Sequence, residues 1–183
     1  MRRKFTLIAE VKTRSPFGWR SSHSWDELLA LATRHGDMIS IHTDKRWGGS
    51  FDLIRRARAH TDKPILAKGI HAKDSDIEKA LEAGADWVLV VGRMPAIHQD
   101  KCLIEPESIV QLAVLPPGVR AVWNSRDLAT GGLKTTSFSQ ARASWPGWLC
   151  QASNVHSIDD IHPDADAVLV GSYLPEFVRT LTT

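Results

Sequence analysis

The sequence predicts an α/β fold organised around a parallel sheet, and three observations predict it. Short apolar runs alternate with stretches of helical apolar spacing along the whole chain, the pattern of successive βα units. No linker or low-complexity stretch interrupts that alternation. Polar and charged residues recur at the C-terminal ends of the apolar runs, where parallel α/β folds place their chemistry.

Taken in order, Thr6–Lys12 is the first strand. Its Glu10 and Lys12 stand two residues apart in an apolar run, so in a strand both project from one face. An acid and a base side by side at a strand end suit catalysis; the alternative is a surface ion pair on an edge strand. Met1-Arg2-Arg3-Lys4 leads into this strand rather than into the apolar core of a signal peptide. Ser24–Arg34 has helical spacing, and Ser24 ahead of Trp25-Asp26-Glu27 reads as an N-cap with a capping box. Gly36 closes that helix, and Met38–His42 is the second strand, running into Thr43-Asp44 and a Trp47-Gly48-Gly49-Ser50 loop. Helix Phe51–Ala59 precedes the third strand, Pro64–Lys68. Helix Ser75–Ala83, ended by Gly84, precedes the fourth, Trp87–Val91. Glu105–Leu115 reads as a helix, after which Arg120–Trp123, Trp148–Ala152 and Ala167–Val170 complete the strands. A short helix follows Gly171-Ser172.

Seven βα units result. An eight-unit barrel usually takes about 250 residues, with about 200 as its lower limit, and this chain has 183. Either an eighth strand lies in Gly92–Leu103 or Leu133–Trp145, or a barrel has lost a unit; an open doubly wound sheet fits the same count.

Composition bounds the function. Apolar and charged fractions of 43% and 24% are those of a soluble globular protein. A net charge of +2 with scattered basic residues argues against nucleic acid, while mild positive potential favours an anionic ligand. No apolar run is long enough to span a membrane. Cys102 and Cys150 form no metal or redox spacing, which is simplest in a cytoplasmic protein with free thiols. The eight histidines form no metal constellation, and no cofactor is implied.

Among the strand-end residues, Lys68 can act as a proton donor if burial or a neighbouring cation such as Lys12 lowers its pKa; otherwise it snorkels to solvent. Gly171-Ser172, Ser153-Asn154 and Ser15 offer small residues and hydroxyls for a phosphate rim, although a lone Gly-Ser is usually just a turn.

Assembled, these positions resemble the indole-3-glycerol-phosphate synthase family. Ile8–Pro16 is close to its Ile-Ala-Glu-Val-Lys-x-x-Ser-Pro strand, with one residue added before Ser15. Ser40–Asp44 and Trp47–Ser50 match Ser-Val-Leu-Thr-Glu and Phe-x-Gly-Ser. Pro64–Ile70 matches Pro-Val-Leu-x-Lys-Asp-Phe, and Ala80–Asp86 matches Ala-x-x-x-Gly-Ala-Asp. Asn124–Leu128 matches Asn-x-Arg-Asp-Leu, and Val168–Ser172 matches Leu-Ile-Gly-Ser. The resemblance implies a TIM-type parallel (β/α) barrel forming one domain over residues 1–183, here reduced to about seven units or incompletely closed. It also implies a carbon–carbon lyase of tryptophan biosynthesis, which closes an indole ring on a carboxyphenylamino-deoxyribulose phosphate and releases carbon dioxide and water. Lys68 would be the general acid, Lys12 would pair with the substrate carboxylate, and Glu10 and Asn124 would hold hydroxyls and lysines in place. Arg126 would lie on the carboxylate side, Trp47 would line the substrate pocket, and Ser15, Ser153, Gly171 and Ser172 would ring the phosphate.

The departures from the family set further expectations. Leu115-Pro116-Pro117-Gly118 leads straight into Arg120–Asn124, so the strand carrying the family's general-base glutamate reads as deleted, and a second copy of the chain would cover the gap. Ser-Glu-Ser-Gly has become Gln151-Ala152-Ser153-Asn154, Lys-Asp-Phe has become Lys68-Gly69-Ile70, and the family's N-terminal extension is absent. Removing a general base costs about 10²–10⁴ in rate. The favoured function is therefore a synthase-like lyase, with altered substrate or reaction as an option and a non-catalytic phospho-ligand binder or pathway partner as the alternative. A phosphoribosylanthranilate-type isomerase is disfavoured, because no Cys/Asp pair is placed for it.

Overall fold

A computed structural model describes residues 5–181; the basic lead-in Met1–Lys4 lies outside them. Eight parallel strands close into a ring in chain order: β1 (Thr6–Val11), β2 (Met38–His42), β3 (Ile65–Lys68), β4 (Trp87–Val91), β5 (Cys102–Glu105), β6 (Arg120–Asn124), β7 (Leu149–Ala152) and β8 (Ala167–Val170). Closure is made by β8 pairing with β1, with Ala9 opposite Val170. The helices are α1 (Trp25–His35), α2 (Phe51–Arg58), α3 (Asp74–Glu82), α4 (Ile109–Ala113), α5 (Phe138–Ser144) and α6 (Leu174–Thr180). The capping box at Ser24 forms as the sequence predicts: Ser24 Oγ accepts from the Glu27 N–H and Glu27 accepts from the Ser24 N–H.

Strand alternation sorts the core. Ile8, Leu66, Leu89, Leu103, Val122, Cys150 and Leu169 fill the barrel interior, while Leu7, Ala9, Ile39, Ile41, Ile65 and Val88 pack beneath the helices. Because side chains two apart share a face, each inward row continues toward the C-terminal mouth. There it carries Glu10 above Ile8, Lys68 above Leu66, Glu105 above Leu103 and Asn124 above Val122. The second strand adds Ser40 and His42 in the same way.

The expectation of seven units or an unclosed ring is overturned. The strand read as deleted is β5, four residues long, and it crosses the boundary between the stretch Gly92–Leu103 and the predicted helix Glu105–Leu115. The helix in that region is confined to Ile109–Ala113, and Leu133–Trp145 holds α5 rather than a strand. Pro106 explains the error, since a residue before proline is disfavoured in helical conformation and favoured in extended conformation. The chain is short because its connections are short. Between β4 and β5 there is only a 3₁₀ turn at Gln99–Lys101, and between β7 and β8 only one at Ile158–Asp160. With the ring closed, no sheet edge is left among the described residues for a second copy to cover.

Candidate active site

The carboxylate of Glu10 sits at the centre of the mouth, almost fully buried. Lys68 Nζ lies 3.2 Å from its Oε1 and Lys12 Nζ 3.8 Å from its Oε2. The contact to Oε1 is an ion pair off the line of a hydrogen bond, so that buried oxygen retains an open acceptor position. Burial by itself raises the Glu10 pKa, but the two ammonium groups outweigh it and hold the carboxyl at about 2. The pair is therefore no surface ion bridge. Lys12 is pulled the other way: burial first, then Lys68 and Arg126, outweigh Glu10 and lower its pKa to about 8. Its ammonium also lies 5.1 Å from the centre of the Trp19 ring. Gly171 is required here, because a Cβ at that position would overlap Glu10 Oε2.

Across the mouth, Glu105 and Asn124 form a second polar group. Asn124 Nδ2 donates to Glu105 Oε1 at 2.8 Å, and Asn124 Oδ1 accepts from the Ser153 hydroxyl at 2.6 Å and from the Arg126 N–H at 3.0 Å. Asn124 is thus fixed on both ends of its amide, and the Ser153 hydroxyl is committed to it. Burial raises the Glu105 pKa above its ordinary value, opposed by Lys68, by the Asn124 hydrogen bond and by Lys134. A buried carboxylate with a raised pKa near a lysine ammonium at the same mouth is an arrangement that can serve as a general base beside a proton donor.

A cavity of about 200 Å³ connects Lys12, Lys68 and Asn124 with Ser15, Trp47, Arg126, Ser153 and Ser172, and Glu105 lines a smaller space that shares Lys68 with it. Gly171 and Asn154 line the adjoining space beside Glu10 and Lys12. Ser153 and Asn154 both have positive φ, 68° and 55°, so the chain turns sharply after β7 beside Gly171-Ser172. Ser15 Oγ accepts from the Phe17 N–H within its own loop. Trp47 is buried and stacks on His42 with ring centres 5.0 Å apart and planes 4° apart. The ten residues to which the family resemblance assigns a role all border this mouth.

Sequence reasoning missed Glu105, although its signal was present: Leu103-Ile104-Glu105 repeats the pattern of Ile8-Ala9-Glu10, followed by the proline. Lys134 was also missed. It reaches the Glu105 side from the loop after β6, with Nζ 4.7 Å from the centre of the Trp123 ring, and no sequence pattern marks it. Ala152 occupies the inward position at the end of β7, so the second family glutamate is absent there.

Residues 1–115 match the family model for indole-3-glycerol phosphate synthase. An indole-3-glycerol phosphate synthase of Priestia megaterium is 26% identical over 198 residues, covering 94% of this chain and 77% of that protein. One from Bacteroides thetaiotaomicron is 35% identical over 100 residues, covering 52% of this chain and 38% of that protein. One from Thermococcus kodakarensis is 36% identical over 95 residues, so the match spans less than half of that relative, 42%. Among solved structures, a 3-hexulose-6-phosphate synthase superposes with a TM-score of 0.64 at 15% identity, covering 94% of this chain and 100% of that one. That likeness concerns the barrel alone.

Proposed function

The chain belongs to the indole-3-glycerol phosphate synthase family, and from that premise we propose that it closes an indole ring on a carboxyphenylamino-deoxyribulose phosphate. The aryl carbon bearing the carboxylate attacks the ketose carbonyl carbon while Lys68 protonates the carbonyl oxygen. The carboxylate then leaves as carbon dioxide, returning its electron pair to the ring. The new hydroxyl departs as water on a proton from Lys68, whose ammonium is restored from solvent, while Glu105 removes a proton from the ring carbon beside the nitrogen to form the carbon–carbon double bond of the indole. Lys12 and Arg126 hold the substrate carboxylate. Glu10 accepts from a substrate hydroxyl and keeps both lysines in place, and Asn124 orients Glu105. Ser15, the Ser153 and Gly171 backbones and Ser172 hold the phosphate.

The observation that carries this reading is the convergence of Glu10, Lys12, Lys68, Glu105 and Asn124 on one buried mouth. Gathering two partly buried lysines around two buried carboxylates costs desolvation energy, a cost that a binding or catalytic role accounts for. The test is single-turnover kinetics on that substrate with wild type and Lys68→Ala. Indole formation by wild type that is lost in Lys68→Ala while the variant still binds substrate supports the reading. Ligand-induced stabilisation of the wild type with no product would replace it with a non-catalytic phospho-ligand binder.

A further inference from the structure

His42 is a polar residue in a mostly apolar wall. A side pocket opens off the mouth between Trp47, Ile70, Leu89, Val91 and Leu128, with His42, Lys68 and Glu105 at its rim. The parallel imidazole and indole rings of His42 and Trp47 form a flat slab along one side, a surface that suits an aromatic ring. In the family pattern the residue at this point of the second strand is leucine, and phenylalanine stands where Ile70 is here. The Asp44 backbone N–H donates to His42 Nδ1 at 3.4 Å, which puts the ring proton on Nε2. Nε2–H has no hydrogen-bond partner among the described residues, and it is not one of the wholly buried unpaired polar atoms, so it meets the accessible mouth that His42 lines. Burial, aided by Lys68 and Lys12 against Glu10, lowers its pKa to about 3, so at neutral pH the ring is an uncharged donor. A ligand that covers this donor without offering an acceptor leaves it unpaired, which is costly, whereas a ligand hydroxyl pairs it.

We propose that His42 is a specificity-determining residue, selecting an arylamino-deoxyribulose phosphate whose ring carries a hydroxyl facing Nε2 over the unsubstituted ring. This rests on the function proposed above. The test uses unreactive analogues in which the ketose carbonyl is reduced to an alcohol, one with the unsubstituted carboxyphenylamino ring and one for each ring-hydroxylated isomer. Their affinities are measured by calorimetry for wild type, His42→Leu and His42→Gln. We expect wild type to bind one hydroxylated isomer about tenfold more tightly than the unsubstituted analogue. His42→Leu should reverse that order, and His42→Gln, which keeps a side-chain N–H, should retain part of the preference. Equal or tighter wild-type binding of the unsubstituted analogue overturns the inference while leaving the proposed function intact, as does a preference that survives in His42→Leu. Failure of wild type to bind any analogue overturns both.

Discussion

Glu10 and Lys12 illustrate why residue-scale geometry decides the reading. Two apart in a strand, they share a face in any fold, but only the closed ring puts Lys68 on the other oxygen of the same carboxylate. Three consequences follow at this scale. Replacing Glu105 by Gln keeps the Asn124 contact but removes the base, so kcat should fall by about 10²–10⁴ with little change in substrate affinity; an unchanged kcat in stopped-flow assays would exclude Glu105 as the base. In its proposed role Lys12 must be charged to hold the substrate carboxylate, and burial lowers its pKa to about 8. Its ammonium is present below that pH and lost above it, so kcat/KM of the wild type should fall as pH rises through about 8. Lys12→Arg, whose guanidinium stays charged, should move the fall upward; a profile flat across that window would contradict the assignment.

Among the elements, β1 was legible because six apolar or same-face polar residues run without interruption, and α1 because its cap and its apolar spacing agree. β5 was not. Four residues are too few to show a period, and the stretch that follows does contain a helix, so the apolar spacing of α4 was extended backwards over Glu105. The turns after β7 and β8, proposed to hold the phosphate, are marked in the sequence by small residues, but the commitment of the Ser153 hydroxyl to Asn124 is not, since it depends on the packing of β6 against β7. The end of β8 offers a test of how tightly the mouth is assembled. In Gly171→Ala the new methyl displaces the Glu10 carboxylate, so activity should drop sharply and stability by about 1–3 kcal/mol. An enzyme with wild-type activity and melting temperature would mean the strand end yields without moving Glu10.

For the whole molecule, 183 residues suffice for eight strands because two connections dispense with an α-helix and three helices are at most seven residues long. Length arithmetic therefore pointed to a missing strand when the economy lay in the loops. The buried mouth also sets the response of the fold to acid. His42 has an ordinary pKa of 6.5 and a folded value of about 3, and Glu10 goes from 4.5 to about 2. In both windows the unfolded chain binds a proton that the folded chain does not, so stability is lost as pH falls through them. His42→Leu should remove the upper window, making denaturant midpoints less sensitive to pH between 6.5 and 4.5; unchanged pH dependence in that range would contradict the burial of a neutral imidazole. On the proposed reading, the closed barrel brings an acid from β3 and a base from β5 to one substrate. That claim is tested most directly by incubating the wild-type protein with carboxyphenylamino-deoxyribulose phosphate and following indole fluorescence. The account predicts product at a steady rate, strongly reduced in Glu105→Gln, whereas no indole fluorescence from protein saturated with that substrate would contradict it.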